Sequence, residues 1–176
     1  MKKLIIVLLA LFSLTLIYNN FKKEETVKIP DSAIRFRVLA NSNSLRDQKI
    51  KEDVRDKMQE ELYNLLKNAK DIKEARTLIN DKITYFNDIV DEQLKNVEYS
   101  YNIDYGMHHF PEKVYKGITY DAGEYESLLV TLGEGKGDNW WCVLFPPLCL
   151  LEAEETINEN EVEYKSFIKE LIEKYF

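Results

Sequence analysis

The sequence contains few residues suited to metal binding or nucleophilic catalysis. It has two histidines, His108 and His109, and two cysteines, Cys142 and Cys149. Adjacent histidines are poorly placed to chelate one ion, and no acidic residue stands at a metal-ligand spacing from them. A Cys–His hydrolase needs a free thiolate beside an imidazole, and a bridge between the two cysteines would remove it. We therefore expect no metal, no cofactor and no catalytic residue.

Basic residues are also fewer than acidic ones. The chain has 24 Lys and Arg against 31 Asp and Glu, which gives a formal net charge of -7. Nucleic-acid-binding proteins usually present a basic surface, and anionic lipid headgroups likewise attract basic segments. The charge balance therefore argues against nucleic acid as a partner. Hydrophobic residues at 45% and charged residues at 31% are typical of a globular protein.

The start of the chain carries a long apolar segment. Lys2 and Lys3 precede the run LIIVLLALFSLTLIY at 4–18, a pattern typical of a secretory signal peptide. This run is shorter than a bilayer span of about 20 residues, and no small-residue cleavage site follows it. A cleaved signal peptide and a retained membrane anchor both remain open for residues 1–21. In either case we expect a linker over 22–32 and a single exported domain over 33–176.

Hydrophobic periodicity predicts an α+β fold. Alternation predicts strands over 34–39, 97–105, 114–120 and 125–132, the last two joined as a hairpin, with a loop over 107–113. Apolar stripes predict a helix that starts at Ser44 with a capping-box pattern to Asp47, a second helix from Asp71 to Leu94, and a helix in the C-terminal tail. We expect a mostly antiparallel sheet with a helical hairpin and the C-terminal helix packed on one face.

A glycine-rich segment precedes the most unusual part of the sequence. Gly133, Gly135 and Gly137 flank Lys136, but the Ser or Thr that follows lysine in a P-loop is missing. The spacing instead predicts a flexible loop that requires positive φ angles. Such a loop would present the segment that follows it.

That segment is NWWCVLFPPLC at 139–149. Adjacent strand residues point to opposite faces, so we expect Trp140 or Trp141 to face outward, although both could belong to the core. An outward tryptophan beside a loop stiffened by prolines is typical of a binding hot spot. An exported location also permits a disulfide between Cys142 and Cys149. The predicted partner-binding residues are Phe110, Trp140, Trp141, Phe145, Pro146 and Pro147.

Three stretches of the chain resemble the stage II sporulation protein R family of endospore-forming bacteria. They are AIRFRVLANSNS at 33–44, FPEKVYKGITYDAGEYESLLVTLGEGKG at 110–137 and NWWCVLFPPLC at 139–149. Their order and spacing match over nearly the whole exported region. One departure is Asp121, which stands where we expect proline before Ala122 and affects the local turn only.

The resemblance implies a signalling role. Members are made in the forespore and exported into the space between the two membranes, where they activate a membrane-embedded aspartic protease of the mother cell. That protease removes the pro-sequence of the sigma-E precursor. The resemblance implies that protease as the partner, and it supplies no catalytic residues.

Two other functions remain open from the residues alone. One is an exported hydrolase that uses Cys142 or Cys149 with His108 or His109 on peptide or cell-wall material. The other is a structural envelope protein anchored by residues 4–18.

Overall fold

The computed structural model describes residues 29–115, 118–148 and 161–176. In chain order their elements are β1 (Ile34–Leu39), α1 (Leu45–Leu66), α2 (Ile72–Asp81), α3 (Ile83–Gln93), β2 (Tyr101–Phe110), β3 (Lys113–Tyr115), β4 (Ile118–Tyr120), β5 (Gly123–Leu132), β6 (Asn139–Phe145) and α4 (Glu161–Tyr175). Within these ranges, no helix has the length and hydrophobicity of a membrane span. The predicted leader at 1–21 lies outside the described residues.

A four-stranded sheet in the order β2-β5-β1-β6 forms the centre of the molecule. β5 pairs antiparallel with β2 and parallel with β1, and β1 pairs antiparallel with β6. β3 and β4 form a separate two-stranded sheet. The predicted α+β class with a mostly antiparallel sheet is therefore confirmed.

Side-chain caps start the first two helices where the sequence predicts them. Ser44 Oγ accepts a hydrogen bond from the Asp47 backbone N–H at 3.1 Å, and Asp71 Oδ1 accepts from the Glu74 N–H at 2.8 Å. These bonds satisfy amide groups that have no partner within the first helical turn.

The predicted second helix is interrupted at Lys82, where φ is -109° and ψ is 5°. Two short polar residues, Asn80 and Asp81, precede the break, and such side chains compete with the helical backbone for hydrogen bonds. Asn80 Nδ2 indeed donates to the Arg76 carbonyl at 2.9 Å. The expectation of one continuous helix up to Leu94 is wrong, and α2 and α3 replace it.

The strand limits also differ from the prediction. β2 continues through the expected loop to Phe110, because it pairs along its whole length with β5, from Tyr101 opposite Leu132 to Phe110 opposite Gly123. The expected hairpin between 114–120 and 125–132 is wrong, since β4 pairs with β3 and β5 pairs with β1 and β2. Here the pairing of strands that are distant in the sequence decides the strand limits, and the local alternation of apolar and polar residues does not.

The larger hydrophobic core lies between one sheet face and helices α1 to α3. Its fully buried members include Ile34, Phe36 and Val38 of β1, Val54, Met58 and Leu62 of α1, Phe86 and Val90 of α3, and Leu128 and Val130 of β5. Burial of each such side chain contributes about 1.5–3 kcal/mol. This burial fixes the helices on one face of the sheet.

A second, smaller core covers one end of the opposite sheet face. Its buried members are Ile29, Ala33, Phe110, Tyr120, Tyr125, Trp141, Val143, Leu148 and Ile168. Ile168 of α4 lies in this second core, and Tyr175 near the end of α4 packs edge-to-face on Phe145 of the larger core. β1 and β6 are thus covered on both faces at this end of the sheet.

An ion pair joins α2 to β5. The Arg76 guanidinium donates to both carboxylate oxygens of Glu126, with its shortest contact at 2.7 Å, and Tyr105 Oη donates to the same carboxylate at 2.6 Å. Burial acts to raise the pKa of Glu126, but the hydrogen bonds from Arg76 and Tyr105 outweigh it and lower this pKa below its ordinary value. The folded state therefore favours the ionised carboxylate.

We expect Glu126→Gln to lower the free energy of unfolding by about 1–2 kcal/mol at pH 7, a modest loss because Arg76 is partly solvated. The lowered pKa means that the carboxylate stabilises the fold above the ordinary carboxyl pKa of 4.5. This stabilisation is lost as the pH falls through the folded-state pKa. Urea unfolding at pH 7 and at about pH 3 measures the effect.

Glu112→Gln provides the control, because Glu112 is exposed. It is expected to leave the unfolding midpoint unchanged at either pH. A Glu126→Gln loss of the same size at both pH values would contradict the role given to the ionised carboxylate.

Candidate functional site

The tryptophan segment forms an edge strand of the main sheet instead of a projecting loop. Residues 139–145 are β6, which pairs with β1, and a turn over 146–148 follows. Trp141 is 6% exposed, and Phe145 and Phe110 are fully buried. Both faces of the sheet are covered at this position.

The two tryptophans do face opposite sides of the sheet, as strand geometry predicts. Trp140 packs toward the larger core, with its ring edge-to-face against Phe36 at 5.8 Å. Trp141 enters the second core and meets Phe110 at 5.3 Å and Tyr120 at 5.4 Å, both edge-to-face. Such pairs add about 0.5–1.5 kcal/mol each beyond the area they bury. Neither ring is free of the fold.

Only part of the predicted partner-binding set reaches the surface. Trp140 and Pro147 are half-buried, whereas Trp141, Phe145, Pro146 and Phe110 are buried. The Phe145–Pro146 peptide bond is cis. The partner-binding role of these residues stays a prediction.

Cys142 lies on β6 and is 8% exposed. No described cysteine is a free thiol. Cys149 lies outside the described residues, so the bridge between these two cysteines stays a prediction.

The proposed pair of Cys142 with His108 or His109 is not formed. Both histidines lie on β2 and Cys142 lies on β6, which are the opposite edge strands of the sheet. Three strand spacings of about 4.8 Å put the backbones about 14 Å apart. This distance is too long for a nucleophile–base hydrogen bond.

His108 instead takes part in a Ser–His–Asp arrangement. Its Nδ1 lies 2.7 Å from Ser127 Oγ, and its Nε2 lies 2.9 Å from Asp104 Oδ2. Ser127 is fully buried on β5, so a substrate carbonyl has no access to its hydroxyl. The arrangement therefore acts as a cross-strand hydrogen-bond network between β2 and β5.

An arginine surrounded by aromatic rings holds the second core together, and the sequence analysis missed it. The Arg35 guanidinium carbon lies 3.4 Å from the ring centroid of Tyr125, 4.8 Å from that of Trp141 and 4.9 Å from that of Phe110. Arg35 is only 2% exposed. Burial lowers its pKa, which shows that the charged form is held in a poorly hydrated place.

The ring faces replace hydrogen-bond acceptors around this arginine. Nε and Nη1 of Arg35 have no hydrogen-bond partner among the residues that the structure describes. A desolvated cation–π contact is worth about 2 kcal/mol, which offsets part of the cost of burying the charge. Arg37 extends the cluster with its guanidinium carbon 5.2 Å from the Phe110 ring, and it donates to the His109 carbonyl at 2.9 Å.

The glycine loop after β5 is fixed on the chain that follows β1. Gly133 and Gly135 have φ values of 55° and 62°, so the predicted need for positive φ is confirmed at these two positions. At Gly137, an added Cβ would clash with the carbonyl oxygen of Ser42. The Gly137 N–H donates to the Ala40 carbonyl at 2.8 Å. The loop is therefore held in one conformation by close backbone contact.

A buried carboxylate organises the other side of this contact. Asp47 is 7% exposed and accepts from Asn41 Nδ2 at 2.9 Å and from Ser42 Oγ at 2.5 Å. These hydrogen bonds lower the pKa of Asp47. Asn41 Oδ1 in turn accepts from the Glu134 N–H at 3.0 Å. The start of α1 and the glycine loop are thus joined through Asn41.

The described residues hold no group of three or more His, Cys, Asp or Glu side chains placed to bind a metal ion.

Comparison with known proteins identifies close sequence relatives. A family model described as stage II sporulation protein R matches residues 30–155. The chain is also 40% identical over 185 residues to the stage II sporulation protein R of Bacillus subtilis (strain 168), in an alignment that covers 99% of this chain and 83% of the relative. No solved structure matches the chain.

We expect Gly137→Ala to lower the free energy of unfolding by about 1–3 kcal/mol, because the methyl group would push against the backbone of Ser42. Gly106→Ala is the matched control on β2. There the nearest described atom to an added Cβ is Asp104 Oδ2 at 3.8 Å, an ordinary contact distance. Urea unfolding compares the two variants. Equal stability of both would contradict the fixed-loop description.

Proposed function

Because the chain belongs to the stage II sporulation protein R family, we propose that it is the exported activator of a membrane-embedded aspartic protease. Family membership makes it a sporulation protein. In the proposed role it is made in the forespore, reaches the space between the two membranes and acts there without catalysis of its own. The activated protease then processes the sigma-E precursor in the mother cell.

The observation that carries the proposal is the match of nearly the whole chain to a sporulation protein of this family. The resemblance in residues 33–44, 110–137 and 139–149 supports it, and these stretches lie within the matched range 30–155. The start of the chain, with two lysines and an apolar run, supports export.

The described side chains favour action by contact over hydrolysis. The Ser127 hydroxyl is buried, and Cys142 is distant from both histidines. The residues in the family-like stretches instead hold the strands and loops of the sheet in place. A protein with such fixed loops loses little conformational entropy when it binds, which favours tight contact with a partner.

Activation by contact sets an energetic requirement on this ligand. It must bind the active state of the protease more tightly than the resting state, because equal affinity for both states leaves their populations unchanged. A shift from about 1% to about 99% active protease requires a difference of roughly 5.5 kcal/mol, or about 10⁴ in affinity. A single rim contact is too weak for this difference, so we expect an extended interface.

Co-expression of the full-length chain, the candidate protease and the sigma-E precursor tests the proposal. Processed sigma factor is expected only when all three are present, and Ser127→Ala is expected to leave processing within about two-fold of the unchanged chain. Immunoblotting of the precursor and its product measures the outcome. Cell fractionation in the same cultures is expected to place the chain outside the cytoplasm.

Two results would contradict this role. One is an unprocessed precursor in cells that contain the exported chain and the protease. The other is loss of signalling in a Ser127→Ala variant that keeps the unfolding midpoint of the unchanged protein, because that would favour a hydrolase that uses Ser127, His108 and Asp104.

A further inference from the structure

β2 leaves one edge of the main sheet open. It is ten residues long and, among the described residues, it pairs with β5 alone. Alternate residues of such a strand direct their backbone N–H and C=O groups away from the sheet. Proteins usually protect long edges with lysine, proline or a very short strand. The sequence YNIDYGMHHF contains neither lysine nor proline.

A cleft runs beside the first half of this open edge. It has a volume of about 490 Å³ and lies between the end of α3 and the start of β2. Its walls include Asn87, Asp91, Leu94, Val97, Tyr101 and Ile103. A helix beside an open edge strand is the arrangement in which PDZ and PTB domains bind extended peptides by strand addition.

The charged residues around the cleft indicate which charge a bound partner should carry. Asp91 lines the cleft, and Asp88 and Asp91 are both exposed on α3. Burial, and then the nearby Asp91 and Asp88 carboxylates, raise the pKa of Tyr101 to about 12. Of the described basic residues near the cleft, Lys95 is paired with Glu92 at 3.3 Å, and Arg46 Nη2 donates to the Asn96 carbonyl at 3.3 Å. An occupant that carries lysine or arginine complements this rim.

A second copy of this chain is the less suitable occupant. Pairing of two β2 edges would bring the acidic rims of both copies together, and like charges at close range are unfavourable. The exposed Met107 at the other end of β2, 62% exposed, offers an apolar contact to a different partner. The edge therefore suits a basic segment of another protein.

We propose that the open edge of β2, with the cleft beside α3, binds an extended basic segment of a partner protein as an added β-strand. This inference rests on the proposed function, in which the partner is the membrane-embedded protease. Main-chain hydrogen bonds to β2 give affinity in this mode, and contacts of basic side chains with Asp88 and Asp91 set the register.

Site-specific photocrosslinking tests the surface in the full-length chain. Benzoylphenylalanine replaces Asn102, which is exposed on β2, or Glu173, which is exposed on α4. Each form is co-expressed with the candidate protease and the precursor. On irradiation, we expect a covalent adduct with the protease from position 102, at a yield at least ten-fold above that from position 173.

A matched pair of charge reversals measures the contribution of the rim. Asp88→Lys with Asp91→Lys is expected to reduce processing at least ten-fold. Glu170→Lys with Glu173→Lys makes the same change in net charge on the exposed side of α4 and is expected to change processing less than two-fold. Lysine near the end of α3 is compatible with the helix dipole, so the fold is expected to persist.

The outcomes separate this surface from the proposed function. A protease adduct from position 173 but not from position 102, in cells that still process the precursor, contradicts the proposed binding surface but not the proposed function. An adduct of two copies of this chain from position 102 also overturns it, because the edge would then be a dimer contact. Failure of the unchanged chain to cause processing overturns the proposed function and this inference with it.

Discussion

The contact of Arg35 with the rings of Tyr125, Trp141 and Phe110 is the interaction on which the rest of the structure depends. β1 lies inside the sheet, and its apolar residues face the larger core. On its opposite face, β1 carries the Arg35 side chain, whose charge is almost fully buried. An unpaired buried charge is costly, so the ring faces that surround it make the second core possible.

β1 also positions the loops at its C-terminal end. Immediately after β1, the backbone of Ala40 and the side chain of Asn41 hold the glycine loop that leads into β6. Asp47 ties the same residues to the first turn of α1. The family-like stretches at 33–44 and 110–137 are thus in direct contact through Ala40, Asn41 and the glycine loop. β2 and β6 are the two edge strands of this sheet, and the cleft beside α3 lies along β2.

Much of the fold follows from local physics that the sequence displays. Ser44 and Asp71 predict helix starts because they cap amides nearby, and Gly133 and Gly135 mark positive φ because other residues avoid it. The burial of Arg35 and Trp141 could not be predicted in this way. Their burial depends on which distant strands pair and on the second core that covers those strands. The same alternating sequence pattern occurs whether the polar residues face water or aromatic rings, so the pattern alone does not predict the burial.

A double-mutant cycle on Arg35 and Tyr125 measures this central contact most directly. Arg35→Met keeps a long apolar stem without the charge, and Tyr125→Leu removes the ring. From urea unfolding of the two single variants, the double variant and the unchanged chain, we predict a favourable coupling of about 1–2 kcal/mol. Strictly additive losses, with a coupling near zero, would contradict the claim that the ring faces hold the buried guanidinium.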